Sequence, residues 1–250
     1  MKTINKLLLS IALLIAACQL ANAQSIWTSV EVGGDVAKGL NLSGSADYRT
    51  HPKLKGSDRA SIGLNLDYKT CKYFKLGAGY TFLNNKTLKE PYIDKNGDEY
   101  LTSPEWYMRH RAYFYLTGSY GIKGFKISLR ERYQFTYRGA HTFPLIDNEG
   151  NEVSSYDKKA KMYHALRSRL SLEYKFQNFG MSIFATGELY NNLTQQFAID
   201  KYRITAGLGY KINKQHYVEL FYRYVDSTDI DDPDNHVIGI GYKCNLKKIK

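Results

Sequence analysis

Short segments in which apolar and polar residues alternate recur along this chain, as in Lys126-Ile127-Ser128-Leu129-Arg130. Successive side chains of a β-strand point to opposite faces, so a period of two predicts strands with one apolar and one polar face. The segments that follow this pattern are 26–37, 40–49, 59–69, 73–83, 107–119, 124–137, 164–176, 179–189, 199–212, 217–225 and 236–246. The pattern predicts an all-β protein.

The apolar face of nearly every segment is rich in Tyr, Phe, Leu and Ile, whereas a soluble sandwich would need only one shared core. This indicates a closed antiparallel transmembrane β-barrel, apolar outside and polar in its lumen, with a soluble β-sandwich as the alternative. Short connections alternate with long polar ones, which predicts short periplasmic turns and long extracellular loops. The longest loops, 84–106 and 138–163, each carry a hairpin signal around Asn96-Gly97 or Glu149-Gly150.

The number of segments is odd, whereas bacterial single-chain barrels have even strand numbers. We therefore expect twelve strands, with ten as the next choice. The weakest segment is 26–37, which is either split near Gly33-Gly34, outside the closed wall, or accompanied by a strand that the pattern hides.

The first residues are typical of a targeting segment. Lys2 and Lys6 precede an apolar run over 7–17, and Ala21-Asn22-Ala23 forms a small-x-small cleavage site. We expect a signal peptide over residues 1–23, a single barrel domain over 24–250, and export to the cell outer membrane. The alternative is lipoprotein processing that leaves Cys18 as a lipidated N-terminus.

The formal net charge is +11 and the pI is near 9.3. An exported barrel rarely meets nucleic acid, so the charge favours attraction to lipopolysaccharide or a cationic lumen. The expected partners are outer-membrane lipid and lipopolysaccharide, and the barrel-assembly machinery during insertion. A disulfide between Cys71 and Cys244 stays open, because the sequence does not give their separation.

The inward parity carries a stripe of arginines on three consecutive strands. The predicted lumen charge network is Arg109, Arg111, Arg130, Arg132, Arg167, Arg169, Glu173, Glu188, Glu219 and Arg223. Like charges on neighbouring strands repel, so the stripe needs acidic partners, which Asp47 and Asp67 could also supply. The network either braces a narrow barrel or forms an anion-selective lumen. Glu131 has the outward parity, which suggests a bulge at that position.

With the strands placed, several motifs resemble the outer-membrane barrels of domain of unknown function 2490. The motifs are Trp27, 66–69 (Leu-Asp-Tyr-Lys), 77–80 (Gly-Ala-Gly-Tyr), 110–116, 130–133 (Arg-Glu-Arg-Tyr), 167–170, 186–192, 222–224 and 237–242. The resemblance covers the mature chain and implies location and fold. It brings no assigned activity.

The remaining chemistry favours no enzyme. Asp226, Asp229, Asp231, Asp232 and Asp234 cluster beside His236, but a solvated acidic loop explains them better than an outer-membrane protease or hydrolase does. No spacing suggests a metal site or a cofactor. We expect a structural barrel or a narrow channel. A surface-binding protein that acts through loops 84–106 and 138–163 is the main alternative, and a hydrolase is the remote one.

Overall fold

The computed structural model describes residues 25–177, 179–228 and 235–246, so the predicted signal peptide, Cys18 and the acids at 229–234 lie outside the described residues. The elements are β1 (Ser25–Ala37), β2 (Leu40–Thr50), η1, a 3-10 helix (Pro52–Leu54), β3 (Ser57–Lys69), β4 (Phe74–Lys86), β5 (Pro91–Ile93), β6 (Glu99–Thr102), β7 (Trp106–Ile122), β8 (Phe125–Arg138), β9 (His141–Ile146), β10 (Glu152–Lys158), β11 (Lys161–Lys175), β12 (Met181–Asn192), β13 (Ala198–Lys211), β14 (His216–Ser227) and β15 (Asn235–Leu246). No helix of the described chain is long and apolar enough to cross a membrane.

Eleven of the strands formed by the described residues close into one barrel, in the order β1-β15-β14-β13-β12-β11-β8-β7-β4-β3-β2. The prediction of twelve strands, with ten next, is therefore wrong, although each of the eleven segments forms a wall strand. In a ring of alternating directions, an odd number leaves the first and last strands parallel, and β1 pairs with β15 in this way. Segment 26–37 is one strand of the wall, neither split nor outside it.

The two ends of the barrel differ. Tight connections at 38–39, 70–73, 123–124 and 212–215 lie at one end, which we call the short-turn end. Connections at 51–56, 87–105, 139–160 and 193–197 lie at the other, the long-loop end. The alternation follows from antiparallel neighbours, because successive connections must appear at opposite ends.

The two longest loops form the predicted hairpins, β5–β6 and β9–β10, and these join into one four-stranded sheet, which we call the apical sheet. The joining pair, β6 with β9, was not predicted. Both hairpins turn the same way: the Asp94 carboxylate accepts from the Asp98 N–H at 2.9 Å, and the Asp147 carboxylate from the Asn151 N–H at 2.9 Å. In β9, the buried Phe143 packs edge-on against Tyr107 of β7, which fixes the apical sheet to the barrel.

The exterior of the wall is apolar. Side chains of outward parity are well exposed, including Leu42, Ile62, Leu64, Phe114, Leu129, Leu170 and Ile204. An apolar belt around a closed wall is the surface that a lipid bilayer solvates and water does not.

In the middle of β8, the charged side chain of Glu131 interrupts this exterior, as the sequence predicted. Glu131 is on the outer face, but the suggested bulge there is wrong, since the registers of β8 with β7 and β11 run through it without a shift. Instead, Ser168 lies directly opposite and its hydroxyl donates to the Glu131 carboxylate at 2.6 Å. The two described cysteines, Cys71 and Cys244, are free and form no disulfide.

Candidate functional site

The residues named in the predicted charge network have the inward parity of the wall. They lie on five strands: Arg109 and Arg111 on β7, Arg130 and Arg132 on β8, Arg167, Arg169 and Glu173 on β11, Glu188 on β12, and Glu219 and Arg223 on β14. Arg109 and Glu188 are buried, at 8% and 3% exposure. Five of the network's seven arginines, together with Glu188, fall into three groups, and the other members have separate partners.

The first group surrounds Glu188. Nη2 of Arg167 donates to both carboxylate oxygens, at 2.7 and 2.6 Å, and Nη1 of Arg169 lies 3.5 Å away. The Tyr190 hydroxyl also reaches Glu188, at 3.3 Å, and accepts from Nη1 of Arg203 at 2.7 Å. A carboxylate shared by two guanidinium groups is a strongly held, charge-assisted arrangement.

The second group is a layered wall on β4, β7 and β8. Tyr115 lies opposite Gly77, and Tyr113 opposite Gly79. A Cβ added at Gly77 would meet the Tyr115 ring at 2.3 Å, and one at Gly79 the Tyr113 hydroxyl at 2.4 Å. Only glycine therefore lets both rings lie flat against the wall.

Two guanidinium groups cover these rings from the lumen side. Arg132 lies 4.1 Å from the centre of the Tyr113 ring, and Arg130 lies 4.9 Å from that of Tyr115. The Nε atoms of both arginines are buried and have no hydrogen-bond partner among the described residues. The ring faces attract the cations, but they provide no counter-ion.

The third group surrounds Trp27 and joins Arg223 of the predicted network to Trp27, Arg49 and Arg203, which the prediction left out. The guanidinium of Arg49 stacks on the Trp27 indole at 3.8 Å, and those of Arg223 and Arg203 lie 5.1 and 5.3 Å from it. A cavity of about 130 Å³ opens beside this cluster. Parity alone could have found these residues, since Trp27, Arg49 and Arg203 occupy inward positions of predicted strands.

The acids expected to neutralise the arginines mostly pair with lysines nearer the short-turn end. Lys75 lies 3.1 Å from Asp67, Lys175 lies 3.6 Å from Glu173, and Lys243 lies 3.3 Å from Glu219. Asp47 accepts a long hydrogen bond from Ser61. The arginine layer is therefore served mainly by Glu188.

The remaining arginines of the predicted network also donate to hydroxyl groups. Arg111 donates to Thr136 at 3.3 Å, Arg223 donates to Thr205 at 2.8 Å, and Arg109 donates to the Tyr107 hydroxyl at 2.9 Å. A hydroxyl oxygen accepts the N–H group but supplies no negative charge.

The described residues contain no group of three or more His, Cys, Asp or Glu side chains arranged to hold a metal ion. His51 donates from Nε2 to the Lys86 carbonyl oxygen, 2.9 Å away, and its Nδ1 lies 3.9 Å from the Asp58 carboxylate. Of the acidic loop beside His236, only Asp226 is within the described part of the chain.

A family model with the description "Protein of unknown function (DUF2490)" matches residues 24–235. Among solved structures, the β domain of the Bordetella autotransporter BrkA is similar with a TM-score of 0.51 and 15% identity, over 83% of this chain and 84% of that chain. The NanC porin has a TM-score of 0.48 and 13% identity, over 87% of this chain and 99% of that chain. The likeness to the BrkA domain bears on the fold alone. A comparison with curated proteins found no match.

Proposed function

Because this chain belongs to the DUF2490 family, whose description assigns no activity, we propose its function from the geometry of the lumen. The protein is an outer-membrane β-barrel with a narrow, charge-braced lumen that admits small anions in preference to cations. The proposal assigns no catalytic residue and no cofactor.

The outer-membrane placement draws support from the closed wall and its apolar exterior. The residues exposed on the outer face, such as Ile62, Phe114 and Leu129, would be unfavourable in water as one continuous belt. The basic, apolar N-terminal segment and the barrel fold agree with export to that membrane. There the exterior would contact lipid and lipopolysaccharide, and insertion would use the barrel-assembly machinery.

The narrowness follows from the strand number and the inward side chains. Barrels of about eight strands are filled by side chains, and those of 16–18 strands hold an aqueous channel, so eleven strands lie between these limits. Here large inward side chains such as Trp27, Tyr115 and Tyr190 are buried. We infer that solutes larger than small ions are excluded.

The anion preference is carried by one observation: Arg130 and Arg132 face the lumen on tyrosine rings, with no carboxylate partner among the described residues. Desolvating an unpaired guanidinium costs several kcal/mol, and a ring face returns only about 0.5–2 kcal/mol. Water or a mobile anion must therefore meet these charges. A constriction with fixed positive charge attracts anions and repels cations.

A single-tryptophan reporter tests this proposal. The chain has two tryptophans, Trp27 in the lumen and Trp106 at the long-loop end, so Trp106→Phe leaves Trp27 as the only indole. In the refolded barrel we expect iodide to quench Trp27 fluorescence more strongly than caesium does at equal ionic strength.

The test variant is Arg223→Gln, which removes a charge near Trp27. The matched control is Lys55→Gln, which removes a charge in an exposed loop. Iodide quenching should fall in the first variant and persist in the second. Equal quenching by iodide and caesium in the parent protein would contradict anion preference.

The apical sheet favours a second candidate function, a surface-binding role for loops 84–106 and 138–163. In the described chain, its outer strands β5 and β10 each pair on one side only, and an unpaired strand edge can accept an added strand. Replacement of residues 152–158 by a Gly/Ser linker, with heat-modifiable migration as the folding control, should abolish ligand capture on whole cells if this role holds. Unchanged capture would exclude this strand.

A further inference from the structure

Three copies of one outward-facing arrangement lie at the long-loop end of the barrel. In each, a histidine lies directly opposite an aromatic residue of the neighbouring strand that precedes it in the chain. The tyrosine two positions before that aromatic residue forms a hydrogen bond with the histidine Nδ1. We call these the His–Tyr units: Tyr80–His110, Tyr133–His164 and Tyr222–His236, with Oη to Nδ1 distances of 2.5, 2.6 and 2.6 Å. The aromatic residues opposite are Phe82, Phe135 and Tyr224.

All three histidines have outward parity and lie near the start of strands that run from the long-loop end. His110 follows the outward Trp106 and Met108 on β7, His164 follows Met162 on β11, and His236 is near the start of β15. This is the upper edge of the apolar belt, the depth at which barrels place aromatic girdles beside lipid head groups.

The hydrogen bond limits the chemistry of each imidazole ring. We assign the phenol O–H as the donor to Nδ1, an assignment that puts the proton of the neutral histidine on Nε2. None of the three Nε2 atoms has a partner among the residues that the structure describes. Ring contacts at 5.6, 5.1 and 5.2 Å, from Phe82, Phe135 and Tyr224, further limit rotation. Each unit therefore presents a positioned N–H donor.

We propose that the three His–Tyr units bind the phosphate groups of outer-leaflet lipids, a proposal that rests on the membrane placement above. Phosphate oxygens are anionic acceptors found at this depth, and they match a donor held on an aromatic platform. A cation lies on the same outer face beside the Tyr80–His110 unit. Lys86 of β4 lies opposite Trp106 of β7, and its ammonium group is 5.7 Å from the Trp106 ring centre.

The chain contains its own control at the opposite end. His216 makes the same bond to the Tyr242 hydroxyl, at 2.6 Å, but lies at the short-turn end with Cys244 opposite it in place of an aromatic residue. This fourth pair shares the hydrogen bond and differs in position.

The test uses the full chain refolded into vesicles of phosphatidylcholine that contain a fraction of phosphatidic acid. Association of head-group-labelled phosphatidic acid with the barrel is compared with that of labelled phosphatidylcholine. Removing His110, His164 and His236 together, as phenylalanine substitutions, should lower the preference for phosphatidic acid by at least about tenfold, the loss of about one charge-assisted hydrogen bond per lipid. His216→Phe should leave the preference unchanged.

A second set of variants, Tyr80→Phe, Tyr133→Phe and Tyr222→Phe, keeps every ring and removes only the hydroxyls, so it serves if the histidine variants do not fold. These variants free the imidazole tautomer and should also reduce the preference. If inorganic phosphate at millimolar concentration competes with the lipid, the sites recognise phosphate itself. If it does not compete, binding requires the whole lipid. An unchanged preference in both variant sets would overturn the proposal.

Lipid binding and ion conduction are measured in separate experiments. A barrel that conducts no anions but keeps this lipid preference contradicts the proposed lumen function and supports the units. A chain that fails to float with vesicles overturns the membrane placement and the units together.

Discussion

At the scale of single residues, the lumen places like charges directly opposite one another. Arg132 faces Arg167, and Arg130 faces Arg169, across β8 and β11. Such pairs repel, and the structure separates them by direction. The two β11 arginines lean to Glu188 on one side, and the two β8 arginines lean to the tyrosines of β7 on the other.

Parity predicted which side chains point inward, and it correctly placed Glu131 outside. It could not predict which acid meets which base, because partners depend on depth, strand tilt and side-chain length together. Glu173 and Glu219 were expected to serve arginines, yet they lie beside Lys175 and Lys243. Parity places Trp27 and Arg49 inward, but it could not predict that Trp27 contacts Arg203 and Arg223, because the first and last strands meet only after the barrel closes.

The layered wall gives a prediction at residue scale. Gly77→Val places a side chain where the Tyr115 ring now lies, so the ring and the Arg130 guanidinium must move into the lumen. We expect a loss of about 1–3 kcal/mol in the free energy of unfolding, as for other overpacked sites, measured by urea titration of the refolded barrel.

Gly187→Val is the matched control, since nothing lies within 4 Å of a Cβ at that outward position. It should change the free energy of unfolding by no more than about 0.5 kcal/mol. Equal losses in the two variants would contradict the layered arrangement of ring and guanidinium.

At the scale of elements, the alternating pattern predicted every wall strand, and the turn signals in the two longest loops predicted both hairpins. It could not predict that β6 pairs with β9, because short polar strands carry little register information. The predicted strand number was wrong for a different reason. The pattern gave eleven segments, but an even number was predicted because bacterial single-chain barrels have even strand numbers. Closure by a parallel pair removes the conflict.

The parallel seam can be tested by cross-linking. Thr28 lies opposite Ile240 across β1 and β15, with both side chains outward. In a Cys71→Ser, Cys244→Ser background, Thr28→Cys with Ile240→Cys should form a disulfide on oxidation, seen as a mobility change on a non-reducing gel.

The control pair is Thr28→Cys with Leu220→Cys, because Leu220 lies one strand further along the same row. It should not cross-link, since a further strand adds about 5 Å. A disulfide absent from the Ile240 pair would indicate a hidden strand between β1 and β15.

At the scale of the whole molecule, the charged side chains inside the described barrel lie in layers. Lysine–acid pairs lie toward the short-turn end of the lumen, and arginines with aromatic rings lie above them. The apolar wall surrounds these charges with a low dielectric constant, where their field on a passing ion is strongest. We propose that the arginine layer acts on ions that enter the lumen.

The reversal potential of the refolded barrel in a planar bilayer, measured under a KCl gradient, tests this claim most directly. We expect the barrel to conduct, with a reversal potential displaced from zero toward the equilibrium potential of chloride. The double variant Arg130→Gln, Arg132→Gln should shift it toward zero, and Lys55→Gln should leave it in place. A barrel that does not conduct, that prefers potassium, or that keeps its chloride preference without both arginines would contradict the account.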